Sequence, residues 1–397
     1  MPKVAILTSG GIAPCLSASI GGLIEKYNQL DSNIEIIGYM HGYRGLLLGK
    51  SISFSKKVKE NYHVLYNYGG SPIGNSRVKL TNVEDCVKKG FVSEGEDPLD
   101  VAAKQLENDN IDILHTIGGD DTNTMAAALA KHLQESGKSL TVVGLPKTVD
   151  NDVIPVKQTL GAWTAAEQGA RFFQNIVNEN TTSRRQLIIH EVMGRHCGWL
   201  TAGTALEYRK LLDDNNYLPE LFVSKERWDV HAIYIPERDI DFQKESIRLR
   251  KIMDENDCVN IFLSEGAGMD TIVRELEAEG EEVPRDAFGH VRLDDINPGQ
   301  WFANQFSEAL GADKTLIQKS GYFARSAKPG SRDLDLIKKS AFMAAEFALQ
   351  GKSGLVGLDE NNNGELGLID LQLIEGGKEF DTGQSWFSNM LKEIGQE

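Results

Sequence analysis

Two acidic clusters, each following an apolar run, carry much of the reactive chemistry of this 397-residue chain. The first is Gly118-Gly119-Asp120-Asp121-Thr122, after the run 111–117. The second is Lys147-Thr148-Val149-Asp150-Asn151-Asp152, after 140–145 and Pro146. The runs read as buried strands, and open α/β sheets bind ligands beyond the carboxyl ends of their strands. Paired glycines let a phosphate approach the backbone, and carboxylates can hold a divalent cation or take a proton. The pattern points to metal-assisted phosphoryl transfer. One of Asp120 and Asp121 suits a metal, Asp150 a general base for a hydroxyl, and Lys147 the charge on a leaving phosphate.

Other segments add candidates, each with a plainer alternative. Thr8-Ser9-Gly10-Gly11 follows a strand at 4–7 and precedes a helix, which favours an anion at Gly10 and Gly11; glycines also simply make turns. Arg77 ends the glycine-rich loop 69–77 and can reach a phosphoryl group or form a surface ion pair. Asp121 or Thr122 could instead cap the next helix, and 147–152 could be a solvated loop. Met193-Gly194-Arg195 follows the strand 186–192, and Arg195 is a natural sugar-phosphate ligand. Glu265 closes the strand 259–264 as a hydroxyl acceptor or a loop acid. Tyr322 and Arg325 offer a phenol and a guanidinium three residues apart, or a half-buried core ring. The dinucleotide fingerprint and the Walker A pattern are absent. Asp359–Asp370 nearly meets calcium-loop spacing, but its flanks look like strands, so a hairpin with an Asn363-Gly364 turn is expected. His196 and Cys197 lack a third partner, so no metal is assigned to them.

These residues need a scaffold. Strand–turn–helix units recur along the chain, which implies doubly wound parallel sheets. With 41% hydrophobic and 25% charged residues the composition is that of a soluble globular protein. A net charge of −16 argues against nucleic acid or an anionic membrane as partner. Cys15, Cys86, Cys197 and Cys258 form no paired motif, as expected of inert thiols in a reducing cytosol. With no charged-then-apolar leader and no long apolar run, a cytoplasmic location is expected. Residues 277–298 read as an insertion.

In this order the motifs resemble the phosphofructokinase family, over most of the chain. The matching segments are 8–11, 70–77, 118–122, 146–152, 191–198, Glu265 and 321–325. The resemblance implies an α/β fold of two Rossmann-like parallel-sheet domains with the active site in the cleft between them. It implies a phosphate-donor domain, 1–155 with about 270–312, and a fructose-6-phosphate domain, 156–269 with about 313–397. The long segment 270–312 is similar to the pyrophosphate-dependent branch. ATP-dependent members carry glycine at the positions of Asp121 and Lys147. An acidic side chain at 121 would repel the α-phosphate of ATP by about 1–4 kcal/mol, depending on dielectric.

The implied reaction moves a phosphoryl group reversibly from pyrophosphate to the 1-hydroxyl of fructose 6-phosphate, a step of glycolysis and gluconeogenesis. Asp150 would be the base, Asp120 a Mg²⁺ ligand, and Gly10, Gly11, Arg77, Asp121 and Lys147 the donor site. Thr148, Asp150, Met193, Gly194, Arg195, Glu265, Tyr322 and Arg325 would hold the sugar phosphate. Gln186 stands where relatives often have arginine, so Arg184 or Arg185 is expected at the 6-phosphate, across subunits of a homodimer or homotetramer. Cys15 and Ser17 replace the usual Gly and Asn, and Tyr322 a common His. An ATP-dependent kinase and a non-catalytic sugar-phosphate regulator are the alternatives.

Overall fold

The computed structural model describes residues 1–278, 280, 283–284 and 293–397, so much of the expected insertion lies outside the described residues. The strands are β1 (Lys3–Thr8), β2 (Glu35–Tyr39), β3 (Ser51–Ser53), β4 (Ile113–Gly118), β5 (Thr141–Pro146), β6 (Gln186–Val192), β7 (Ala232–Tyr234), β8 (Cys258–Ser264), β9 (Lys314–Lys319), β10 (Gly354–Asp359) and β11 (Glu365–Ile369). They form a seven-stranded sheet, β11-β10-β5-β4-β1-β2-β3, and a four-stranded sheet, β7-β8-β6-β9. The two sheets belong to separate compact units. One is Met1–Thr164 with Arg325–Lys378, and the other is Ala165–Ala324 with Glu379–Glu397.

This division corrects the expected boundaries. The segment that returns to the first unit is 325–378, not 270–312. Its strand β10 pairs in parallel with β5, through Gly354 against Val143 and Leu355 against Gly144. Its helix Ser331–Leu349 lies so close to helix Leu16–Leu30 that a side chain on Gly22 would begin 2.8 Å from Ala341 Cβ. Its buried Asp333 accepts hydrogen bonds from Thr164 N (2.7 Å), Thr164 Oγ1 (2.6 Å) and Gly161 N (3.1 Å). Helix Pro298–Leu310, by contrast, belongs to the second unit. Phe302 and Phe306 there are fully buried against Tyr234 and Phe242, and truncating either to alanine would cost about 3–5 kcal/mol.

In the first sheet β1, β4 and β5 are parallel and end level. Thr8 pairs with Ile117 and Gly118 with Pro146. Their continuations, at residues 9, 119 and 147, therefore leave from one edge. The second sheet is all parallel, with Val192 opposite Ser264 and Glu191 opposite Lys319. Its exits at 193, 265 and 320 also share one edge. The 359–370 segment is an antiparallel hairpin, as expected, although its loop is longer than a two-residue turn. A 3₁₀ turn at Glu360–Asn362 precedes Asn363 and Gly364, both at positive φ. Among the described residues no helix is long and apolar enough to cross a membrane, and all four cysteines are buried and outside any disulfide.

Candidate active site

In the first unit, the β1 exit and the 69–77 loop are tied together. Thr8 Oγ1 donates to Gly74 O (3.0 Å), and Ser9 Oγ donates to Ser76 O (2.9 Å). Gly10 N–H donates to the same carbonyl at 2.9 Å with φ at +84°, a conformation that favours glycine. Asn75 Nδ2 donates to the carbonyls of Gly10 (3.3 Å) and Gly11 (3.4 Å). Arg77, at the loop's end, brings its guanidinium to 3.8 Å from where a Gly11 side chain would begin.

Lys147 reaches this loop from the end of β5. Its Nζ donates to Gly11 O at 2.8 Å, and the side chain is only 4% exposed. Burial pulls its pKa below the ordinary lysine value, against the opposing charges of Asp150 and Asp152. The 147–152 segment is a fixed turn rather than a solvated loop. Asp150 N–H donates to Thr148 Oγ1, and Asn151 Oδ1 accepts from Thr159 N (2.8 Å) with Asn151 itself at φ +60°. Thr159 Oγ1 closes the turn on Thr148 O (2.9 Å).

Helix Asp120–Glu135 begins at Asp120, so neither Asp121 nor Thr122 is its cap; the N-cap is Gly119. Both carboxylates lie in its first turn, where the helix dipole favours negative charge. They differ in environment. Asp120 is partly buried, and desolvation raises its pKa, opposed by the Asp121 backbone N–H and reinforced by the charges of Asp121 and Asp152. Asp121 is exposed and ion-paired to Lys79 at 2.7 Å. Among the described residues no three His, Cys, Asp or Glu side chains converge as a protein-only metal site. Asp120 still fits Mg²⁺, which keeps several waters and binds through one or two carboxylates plus phosphate oxygens.

The second unit gathers a different set. Gly194 has φ +129°, and its N–H points to Glu265 Oε1 at 3.5 Å. Its carbonyl accepts from Ser264 Oγ at 2.5 Å. Arg195 packs its backbone so tightly on Gly266 that a side chain there would begin 1.8 Å from Arg195 O. A side chain on Gly321 would meet Met193 Cγ at 2.9 Å. Thus Met193, Gly194, Arg195, Glu265 and the start of the 321–325 helix come together. Tyr322 is 80% exposed, not a half-buried core ring. Arg325 falls on the first unit's side of the division.

Arg184 and Arg185 are not brought into this group. They precede β6 and Met193 follows it, so its seven residues, about 20 Å, separate them. Arg185 is committed elsewhere: its guanidinium bonds Gly311 O and Leu310 O (both 2.6 Å) and Asp254 Oδ1 (2.8 Å). It thereby satisfies carbonyls at the end of helix Pro298–Leu310. Arg184 is 82% exposed, 3.6 Å from Asp257. Sequence reasoning missed Lys79, two residues after Arg77, and the bracing amide Asn123. Asn123 Nδ2 donates to Gly118 O (3.0 Å) and Gly119 O (2.8 Å), under the glycine pair. An amide one turn into a helix that follows two glycines was the available signal.

The phosphofructokinase family model matches residues 3–348. The chain is 60% identical over 394 residues to the pyrophosphate–fructose 6-phosphate 1-phosphotransferase of Methylomonas methanica, covering 99% of this chain and 96% of that protein. It is 59% identical over 394 residues, with the same coverage, to the protein of that name from Methylotuvimicrobium alcaliphilum. Its fold is similar to the crystal structure of the pyrophosphate-dependent phosphofructokinase from Marinobacter aquaeolei, with TM-score 0.73, 20% identity, and 99% and 91% of the two chains covered. A chain whose strand ends carry these groups, and whose length is matched this far, belongs to the phosphofructokinase family.

Proposed function

We propose that this protein transfers a phosphoryl group from pyrophosphate to the 1-hydroxyl of fructose 6-phosphate, giving fructose 1,6-bisphosphate and phosphate. One observation carries the donor assignment: the buried Lys147 ammonium is fixed on the Gly11 carbonyl, beside Gly10 and near Arg77. Gly10, Gly11, Arg77 and Lys147 bind pyrophosphate and offset the charge that builds on the departing phosphate. Asp150 takes the proton of the 1-hydroxyl as its oxygen attacks phosphorus in line. Thr148, Met193, Gly194, Arg195, Glu265, Tyr322 and Arg325 hold the sugar phosphate, and Arg184 serves the 6-phosphate in a homodimer or homotetramer. Asp120 would hold Mg²⁺, mainly through water; the ion supplies charge neutralisation on the phosphates.

The test is initial rate with fructose 6-phosphate and Mg²⁺, supplied with pyrophosphate or ATP in parallel. Turnover with pyrophosphate and little or none with ATP is expected. Turnover with ATP alone would overturn the donor assignment, and none with either would overturn the substrate.

A further inference from the structure

The segment Glu375–Lys378 runs beside the acidic cluster of the first unit and is fastened on both sides. Ile154 N–H donates to Glu375 O (2.8 Å), and Glu375 N–H returns to Ile154 O (3.2 Å). Lys378 N–H donates to Asp152 O (3.0 Å). Lys378 Nζ donates to Val156 O (2.6 Å) and pairs with Glu360 (2.7 Å). Two adjacent glycines lie within this strap, and they differ in kind. Gly377 has φ +81° and open space around it, so its backbone accounts for it. Gly376 has no such dihedral. A side chain there would begin 2.1 Å from Asp120 Oδ2 and 2.7 Å from Asp120 Cγ.

We propose that Gly376 is a positioning residue for Asp120. The strap cannot recede, so the absence of a side chain at 376 leaves the space in which the Asp120 carboxylate sits. Gly376→Ala would be accommodated by turning that carboxylate away, because the clash falls on side-chain atoms and not on backbone. The functional consequence rests on the proposed role of Asp120 toward Mg²⁺. The loss would appear in metal affinity and turnover together, with the fold retained.

The experiment is a double-variant cycle of Gly376→Ala and Asp120→Ala. Mn²⁺ affinity would be read by electron paramagnetic resonance with methylenediphosphonate as a non-transferable donor, alongside turnover and the thermal midpoint. In the native background Gly376→Ala is expected to weaken Mn²⁺ binding and lower turnover by tenfold or more. In the Asp120→Ala background it is expected to change each by less than twofold. Gly367→Ala, at a glycine with open space and no positive φ, is the control that should change neither. Equal losses in both backgrounds, or no loss in either, would overturn the proposal. If Asp120→Ala leaves Mn²⁺ affinity intact, the metal assignment falls and the turnover arm alone decides Gly376. If Gly376→Ala fails to fold, recovery of folding in the double variant supports the clash with Asp120, and failure of both overturns it.

Discussion

Lys147→Met separates the chemistry of the proposed donor site from its stability. The ammonium is buried on a carbonyl at the end of β5, and burial works against its charge. Methionine keeps the volume and removes the charge. Gly11 O retains the Asn75 amide at 3.4 Å, so no carbonyl is orphaned. The fold should therefore be as stable as before or slightly more so, since the change removes a desolvation cost that outweighs the attraction of Asp150 and Asp152 for the ammonium. Catalysis should move the other way. Removing one preorganised donor from a developing anion costs about 2.7–4 kcal/mol, or about 10²–10³ in kcat. Lys147→Arg should not rescue it, because the residue is only 4% exposed with Nζ seated over Gly10, and a buried site shaped for a point charge does not fit the larger planar fork. The assay is phosphate release under saturating fructose 6-phosphate, with thermal unfolding alongside. Turnover within threefold of the native enzyme, or a large drop in stability, would refute the reasoning.

Three further outcomes are expected. Asp150→Asn should lower turnover by about 10²–10⁴ with fructose 6-phosphate binding largely kept, read by steady-state kinetics and calorimetry; unchanged turnover would remove Asp150 as the base. Asp121→Gly should admit ATP only weakly, because Asp121 is exposed and paired with Lys79. At high dielectric its repulsion is about 1 kcal/mol, so a gain of roughly fivefold in ATP turnover is expected, and a hundredfold gain would contradict this. His190 is fully buried between Phe173 and Phe262, and burial pushes its pKa down to about 3. The unfolded chain protonates this ring below about pH 6.5 while the folded chain does not, so stability present above that pH is lost progressively toward pH 3. The loss from this ring at pH 5 is about 2 kcal/mol. His190→Leu should flatten denaturant-unfolding stability between pH 7 and pH 5 by that amount, and an unchanged slope would show that the ring titrates normally.

What was legible in the sequence follows from the physics of burial. β1, β4, β5, β6 and β8 are covered on both faces, so each appears as an apolar run with a polar, glycine-bearing exit. β9 was not visible, because Lys314–Lys319 is an edge strand with exposed lysines at both ends. The helix before β4 starts at Pro98, because Asp97 caps it and proline suits its first turn. The return of 325–378 to the first unit was hidden for another reason. It depends on β10 against β5 and on helix packing at Gly22, and neither leaves a local mark. The same holds for Gly376 against Asp120 and Lys79 against Asp121. Each is a contact between residues that no spacing rule connects.

These contacts also reorder the donor argument. From sequence, Asp121 and Lys147 stand as equal substitutions for two glycines. In the structure one is an exposed, paired carboxylate and the other a desolvated cation on the Gly10-Gly11 loop. A solvated charge acts through a high dielectric and is worth about 1 kcal/mol at contact, whereas a buried one acts where water cannot screen it. Lys147 should therefore carry most of the pyrophosphate chemistry, and Asp121 should do little more than occupy space. The ranking is measurable as the ratio of pyrophosphate turnover in Asp121→Gly to that in Lys147→Met. A ratio of about ten or more follows from the burial difference. A ratio below one would mean that the ion pair with Lys79 opens when pyrophosphate binds, and that Asp121 then works unscreened.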